Sequence, residues 1–276
     1  MKYAILSDIH SNIQALESAL KECDKEGVDK IICLGDVIGY NANPCECLKI
    51  AQSRFDVTIK GNHDEIGERG VAHSDCETWN SHALKALEYT TPKLTDNDKQ
   101  WIRSLPYYSI ISDPKIPFSI GHGTPLRCEN LKTFDYIMSP YIERIVMKEL
   151  RSNKDNIKLA FYGHTHIPAI FRSSVSHDGT VVSDSDVGSY IFYDNIGLNE
   201  VGLDNVIKGD EYIFINPGSI GQPRYECPPS FVILDTNKAS VEFIKFAYDF
   251  EKAQKAIREA GYCDSLAQRL DYREET

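Results

Sequence analysis

The sequence predicts an α/β chain with a mainly parallel sheet at its start and antiparallel strands towards its end. Three observations carry that prediction. Apolar runs alternate with amphipathic segments through roughly the first sixty residues, the stretch from Cys76 to Leu105 reads as helical, and three apolar runs follow closely upon one another after Glu211. Tyr3 to Leu6 is a first strand. Asn12 then caps a helix that carries Ile13, Leu16, Leu20 and Cys23 on one face, and Gly27 stops it. Lys30 to Leu34 is a second strand, Pro44 sits in the first turn of a second helix, and Asp56 to Lys60 is a third strand. Strand, helix, strand, helix, strand with short connections is the pattern of right-handed crossovers.

From Cys76 onward Trp79, Ala83, Ala86 and Leu87 share a helical face, and Thr95 caps a short helix through Trp101 to Leu105. This segment interrupts the strands, so residues of about 64–105 are expected to form a helical cap over one end of the sheet. Tyr107 to Ile111, Pro117 to Ile120 and Lys158 to Tyr162 are strands, with a helix from Ser139 and Pro140 to Leu150 between the last two. Glu211 to Ile215, Ser230 to Asp235 and Ser240 to Ala247 are expected to pair antiparallel, and Asp249 caps a last helix that Gly261 ends. With no internal repeat or low-complexity linker, a single domain over 1–276 is expected.

Composition narrows the function classes. The chain has 276 residues, 42% of them hydrophobic, and a net charge of -11, which argues against bulk adhesion to nucleic acid or anionic membrane. Residues 173–210 hold seven acids against one base, an acidic excursion that reads as a solvated hairpin or as a subunit interface of a homo-oligomer. No stretch is apolar enough for a membrane span, and the opening residues do not read as a signal peptide, so a cytoplasmic location is expected. The eight cysteines show no C-x-x-C pair or structural zinc spacing and read as reduced thiols. P-loop, dinucleotide and nucleophile-elbow fingerprints are absent.

The strand ends carry the chemistry. The first strand runs into Ser7-Asp8-Ile9-His10, the second into Gly35-Asp36, the third into Gly61-Asn62-His63-Asp64, Pro117 to Ile120 into Gly121-His122-Gly123, and Lys158 to Tyr162 into Gly163-His164-Thr165-His166. Ligands of open α/β sheets sit at the carboxyl ends of the strands, so these clusters should converge. Imidazoles, carboxylates and one amide without a thiolate suit a pair of Mn, Fe, Zn, Co or Ni ions better than Ca or Mg. In an extended segment Asp8 and His10 face the same way and can chelate one ion. Asp36, alone in its cluster, is placed to bridge two. Two divalent ions set against Asp8, Asp36 and a hydroxide leave a local excess of about +1, which would offer a phosphate oxygen a positive site within an acidic protein.

This ordered set of motifs resembles the calcineurin-like metallophosphoesterases. The resemblance implies a four-layer αββα sandwich of two mixed β-sheets flanked by helices. It also implies that Asp8, His10 and His166 bind one metal, that Asn62, His122 and His164 bind the other, and that Asp36 bridges them. His63 would be no ligand but would approach the leaving oxygen as general acid or transition-state stabiliser, with Asp64 orienting its imidazole through a hydrogen bond. The cofactors implied are two divalent ions, Mn, Fe or Zn, and the activity is phosphoric ester hydrolysis by direct attack of a metal-bridging hydroxide on a phosphomonoester or phosphodiester.

Gly35 to Tyr40, His122 to Pro125 and Asn216 to Ser219 look like the compact prokaryotic branch of that family. The branch includes small phosphodiesterases, diadenosine-tetraphosphatase-like proteins and protein-phosphatase-like proteins, so a dinucleoside polyphosphate or a phosphoprotein is an alternative substrate to a small phosphate ester or nucleotide. A non-catalytic metal-dependent scaffold is the alternative from another class, and the complete set of ligand residues disfavours it. A nuclease would want a basic groove, which this acidic chain does not show. Asn62, His63 and Arg224 are the candidate substrate contacts; Arg224, in a Pro-rich loop, reads equally well as a surface residue, and Arg127 has the same two readings. Asn80 and His82 would reach substrate only if their helix leans over the metals, Tyr40 reads mainly as packing, and His177 as solvated.

Overall fold

The computed structural model describes residues 1–125, 134, 157–174, 191–192, 200–209, 211–225 and 227–271. The helix expected from Ser139 to Leu150, Arg127, His177 and most of the acidic excursion lie outside these residues.

The first sheet is built on β1 (Lys2–Leu6), β2 (Lys30–Cys33) and β3 (Val57–Thr58), paired parallel in the order expected. Helices α1 (Ile13–Glu26) and α2 (Pro44–Arg54) connect them. The Asn12 carboxamide oxygen accepts from Ala15 N at 3.1 Å to open α1, and Gly27 ends it in the left-handed region at φ 62°. Five helical pieces follow: α3 (Asn62–Arg69), a 3-10 turn at His73–Glu77, α4 (Ser81–Thr90), a second 3-10 turn at Thr91–Lys93 and α5 (Asp96–Ser104). Thr95 and Asp98 cap α5 reciprocally, the hydroxyl accepting from Asp98 N at 3.2 Å and the carboxylate from Thr95 N at 3.0 Å. Thr95→Ala is therefore expected to cost ~1 kcal/mol of stability, read as a lower urea midpoint at unchanged slope.

The second sheet begins with β4 (Tyr108–Ile111), β5 (Phe118–Gly121) and β6 (Leu159–Tyr162), continues through β7 (Ala169–Ser174) and β8 (Ile191–Phe192), and later takes in β10 (Glu211–Asn216). Its order is β4-β5-β6-β10-β7-β8. The chain returns to the first sheet through β9 (Glu200–Gly202), α6 (Asp204–Lys208), β11 (Ser230–Asp235) and β12 (Ser240–Lys245), giving the order β3-β2-β1-β11-β12-β9. Helices α7 (Phe250–Glu259) and α8 (Asp264–Gln268) follow.

Two mixed sheets flanked by helices are thus the architecture. One expectation needs correction: β10 does not pair with β11. It pairs parallel with β6 and antiparallel with β7, and the Asn216-Pro217-Gly218 turn carries the chain to the other sheet before β11 begins. β7 was not expected as an element at all, and α3 opens the helical cap slightly before the expected start near residue 64.

Period-two alternation explains the two cores. Ala4 and Leu6 of β1 and Ile31 and Cys33 of β2 join Leu16, Leu48 and Ile257 in the core beneath the helices. Their neighbours Tyr3, Ile5, Ile32 and Leu34 face the other way and meet Phe118, Leu159, Phe161 and Ile213 of the second sheet. The sheets therefore share a core, and the ends of β1, β2, β3, β5 and β6 are tied at one edge by hydrogen bonds such as His122 Nδ1 to Leu34 O at 2.8 Å and Gly163 N to His122 O at 2.8 Å. Among the described residues no helix is long and apolar enough to cross a membrane.

Candidate metal centre

Every one of the eight residues Asp8, His10, Asp36, Asn62, His63, His122, His164 and His166 is buried, and the strand ends bring them together. Donor atoms of Asp8, His10 and His166 lie within 4.8 Å of one another, as do those of Asp36, His122 and His164, and those of His10, Asp36 and His63. Asp36 stands between the first two groups: its Oδ2 is 3.6 Å from His10 Nε2 and 3.2 Å from His122 Nε2. Asn62 Oδ1 lies 3.0 Å from His122 Nε2.

The backbone delivers these side chains differently from the extended geometry expected of Asp8 and His10. Asp8, His10, Asp36, His164 and His166 all have positive φ, between 48° and 67°. Non-glycine residues in that region are strained by about 1–3 kcal/mol each, and such strain gathers at functional sites. Close approach is the other device. A Cβ on Gly61 would fall 2.0 Å from Asp36 Oδ1, and one on Gly163 would fall 2.0 Å from Ser7 Oγ.

Hydrogen bonding fixes which atom of each group faces inward. His10 Nδ1 lies 3.2 Å from Ile38 O, His122 Nδ1 2.8 Å from Leu34 O and His166 Nδ1 2.6 Å from Gln222 O. A carbonyl can only accept, so each Nδ1 carries the proton and each Nε2 turns inward. Of Asp8, Oδ2 accepts from Ser7 Oγ at 2.6 Å and from His164 N at 3.1 Å; of Asp36, Oδ1 accepts from His63 N at 2.8 Å. The remaining oxygens, Asp8 Oδ1 and Asp36 Oδ2, are buried without a hydrogen-bond partner among the described residues. His10 Nε2 and His166 Nε2 face each other at 3.0 Å. A buried crowd of acceptors facing acceptors is unfavourable unless a cation sits among them, so the residues fit the expected metal ions.

Electrostatics agree. Burial pushes the Asp8 and Asp36 carboxyls up, but the neighbouring imidazoles, His166 for Asp8 and His122 for Asp36, hold both below the usual carboxylate range. Burial, reinforced by the His122 charge, lowers His164 to about 3, and burial opposed by Asp8 leaves His166 at about 4, so both are neutral and ready to ligate near pH 7. His122 moves the other way: burial pulls it down, yet Asp36 raises it to about 9. A metal must displace that proton, so affinity on this side weakens as pH falls.

One expectation changes at His63. Asp64 does not orient its imidazole: the two carboxylate oxygens accept from Ile38 N at 3.2 Å and Gly61 N at 3.0 Å, so Asp64 caps α3 and ties it to the loop after Asp36. The ring is held instead between Tyr40, His10 and Trp79, with centroids 4.7, 4.7 and 5.0 Å away, and its Nδ1 has no partner among the described residues. Tyr40 is therefore both packing and pocket wall. Asn80 lines the cleft beside the site and His82 does not.

Arg224 is half-buried and its Nε lacks a partner among the described residues; its charge contributes to lowering His166. The orienting carbonyls of Ile38, Leu34 and Gln222 were not foreseen, because main-chain acceptors leave no residue-type signal. The role of Asp64 was foreseeable, since a Gly followed three residues later by an acid is a helix-start pattern.

The comparisons with known proteins agree with this geometry. A family model described as calcineurin-like phosphoesterase superfamily domain matches residues 1–239. The chain is 29% identical over 270 residues to the uncharacterized protein MJ0912 of Methanocaldococcus jannaschii, covering 97% of this chain and 96% of that one. Among solved structures it is similar to a metallophosphoesterase from Sphaerobacter thermophilus, with 26% identity, a TM-score of 0.74 and 98% of each chain covered. The hypothetical protein PH1004 from Pyrococcus horikoshii OT3 shares the fold, with 19% identity, a TM-score of 0.70 and coverage of 98% of this chain and 97% of that one. With its two mixed sheets and its buried His and Asp cluster at their shared edge, the chain belongs to the calcineurin-like phosphoesterase superfamily.

Proposed function

We propose that the protein hydrolyses a phosphate monoester or diester of a small molecule with two divalent ions, Mn, Fe or Zn, held at the edge where the strands converge. The convergence of inward Nε2 atoms on the two unpartnered carboxylate oxygens carries this reading. Asp8, His10 and His166 would hold one ion, Asn62, His122 and His164 the other, and Asp36 would serve both. Bound there, the ions supply an activated water as nucleophile and positive charge for the phosphate oxygens.

The chain's own residues do the rest. Asp36 Oδ1 accepts from the His63 backbone N–H at 2.8 Å, so the residue that presents the imidazole is anchored to the residue between the ions. His63 lines the adjoining cleft, where burial holds its ring neutral and its N–H is positioned to hydrogen-bond the departing oxygen. Arg224, with an unspent buried Nε–H, is placed to bind a phosphate oxygen beside His166.

A turnover panel tests the reading: aryl monoester, aryl diester, cyclic nucleotide and dinucleoside polyphosphate, with stripped protein reconstituted in Mn, Fe or Zn. Metal-dependent turnover of at least one ester is expected. Tight binding of two ions with no turnover of any would favour the scaffold. His63→Asn should lower turnover by about 100-fold while leaving metal content intact by mass spectrometry. If both ions were lost from that variant, His63 would be a ligand after all.

A further inference from the structure

Beside the metal centre a cleft of about 280 Å³ opens off His63, and Tyr40, Trp79, Asn80, Phe134 and His164 are among its walls. None of the described lining residues is Lys, Arg, Asp or Glu. The described walls offer aromatic faces and amide groups, which suit a neutral ring beside the phosphate. Three of its described lining residues, Tyr40, Trp79 and Phe134, are aromatic. Trp79 stands edge-on to His63, with centroids 5.0 Å apart and planes at 66°, and is half-buried against the helix-side core, so its orientation is fixed before anything binds. Phe134 lies 5.9 Å from the His122 ring and Tyr40 4.7 Å from the His63 ring. The volume is just below the ~300–1,000 Å³ of pockets that enclose drug-sized ligands, enough for one ring system beside the phosphate.

We propose that this cleft is a leaving-group pocket for a neutral planar ring stacked on Trp79, so that the substrate is an ester whose departing alcohol is a nucleoside or an aryl alcohol. The proposal rests on the phosphoesterase reading and narrows it. Trp79 touches the substrate and sets specificity; His63, against which Trp79 packs, meets the departing oxygen. In the hydrolysis a water oxygen forms the new bond to phosphorus, the bond from phosphorus to the ring-bearing oxygen breaks, and the water's proton ends on that oxygen. No oxidant or second substrate is required.

Trp79 and Trp101 are the only two tryptophans in the chain, which permits a binding test independent of turnover. In Trp101→Phe protein reconstituted with Mn, adenosine 5′-monophosphate should quench the fluorescence of Trp79 and ribose 5-phosphate should not. In kinetics, Trp79→Ala should lower kcat/KM for bis(p-nitrophenyl) phosphate at least about 10-fold more than for bis(trifluoroethyl) phosphate, because the comparison with wild type cancels leaving-group reactivity. Trp79→Phe should restore most of that difference and guards against a merely unfolded cap.

Equal losses on the two esters, or equal quenching by the two phosphates, would overturn the pocket while leaving the phosphoesterase reading intact. Selective quenching by the nucleotide with no ester hydrolysed would do the reverse: the ring-binding cleft would stand and the hydrolase reading would fall.

Discussion

Asp36→Asn is expected to give a folded protein that has lost about 1,000-fold or more in turnover, on the order of 4 kcal/mol of transition-state stabilisation, together with most of its metal. The carboxylate has two separate jobs. Oδ1 accepts from His63 N, and an asparagine oxygen can keep that bond; Oδ2 faces His10 Nε2 and His122 Nε2, and its charge holds the His122 proton until a metal displaces it. An amide NH2 in place of Oδ2 would donate to the inward His10 lone pair and carry no charge, leaving less to attract a cation. The same change removes the charge that holds the His122 proton, so near pH 7 the metal-free variant should melt below metal-free wild type. Metal content by mass spectrometry and melting with and without chelator check both halves. Full turnover in the variant would sink the assignment of Asp36.

Gly61→Ala should be nearly as damaging, for a reason of space alone. Gly61 has φ -89° and ψ 171°, a conformation alanine adopts freely, but the added Cβ would lie 2.0 Å from Asp36 Oδ1 and 2.3 Å from Asp36 N. Something must move, and the nearest atoms belong to the residue between the two groups of donors. We expect a loss of about 1–3 kcal/mol in stability, as for overpacked cores, with metal affinity falling in parallel. Gly27→Ala is the contrast: its φ of 62° makes alanine strained, while nothing lies within 4 Å of the new Cβ. That variant should lose stability through the α1 cap and keep its metal. Equal metal loss in both would mean that Gly61 acts through general stability and not through Asp36.

Much of this site was legible in the order of residues, and the reason is local. A strand that ends in Gly or Ser followed by Asp, Asn or His announces both the turn and the donor, and the structure brings all five such ends to one edge. What could not be read depends on distant pairing or on main-chain atoms. Whether β10 joins β11 or β6 is decided by register across the sheets, not by the turn between them. The left-handed backbone at Asp8 and His10 is likewise set by bonds from His10 N and Ser11 N to Asp36 O and Val37 O, contacts between two different strand ends. Trp79 read as a core residue because its spacing from Ala83 and Ala86 is helical; it does pack on the core, and its other edge is the cleft wall. Periodicity reports which residues are shielded from water and says nothing of what shields them.

The three acceptors that aim His10, His122 and His166 are the carbonyls of Ile38, Leu34 and Gln222, and every residue type has a carbonyl. Substitution at those positions can change packing but cannot delete the acceptor. Aim at the metals is thus inherited with the backbone path, which leaves the surrounding side chains free to drift. A lineage can then diversify its cleft, Trp79 included, without rebuilding the centre that the cleft serves.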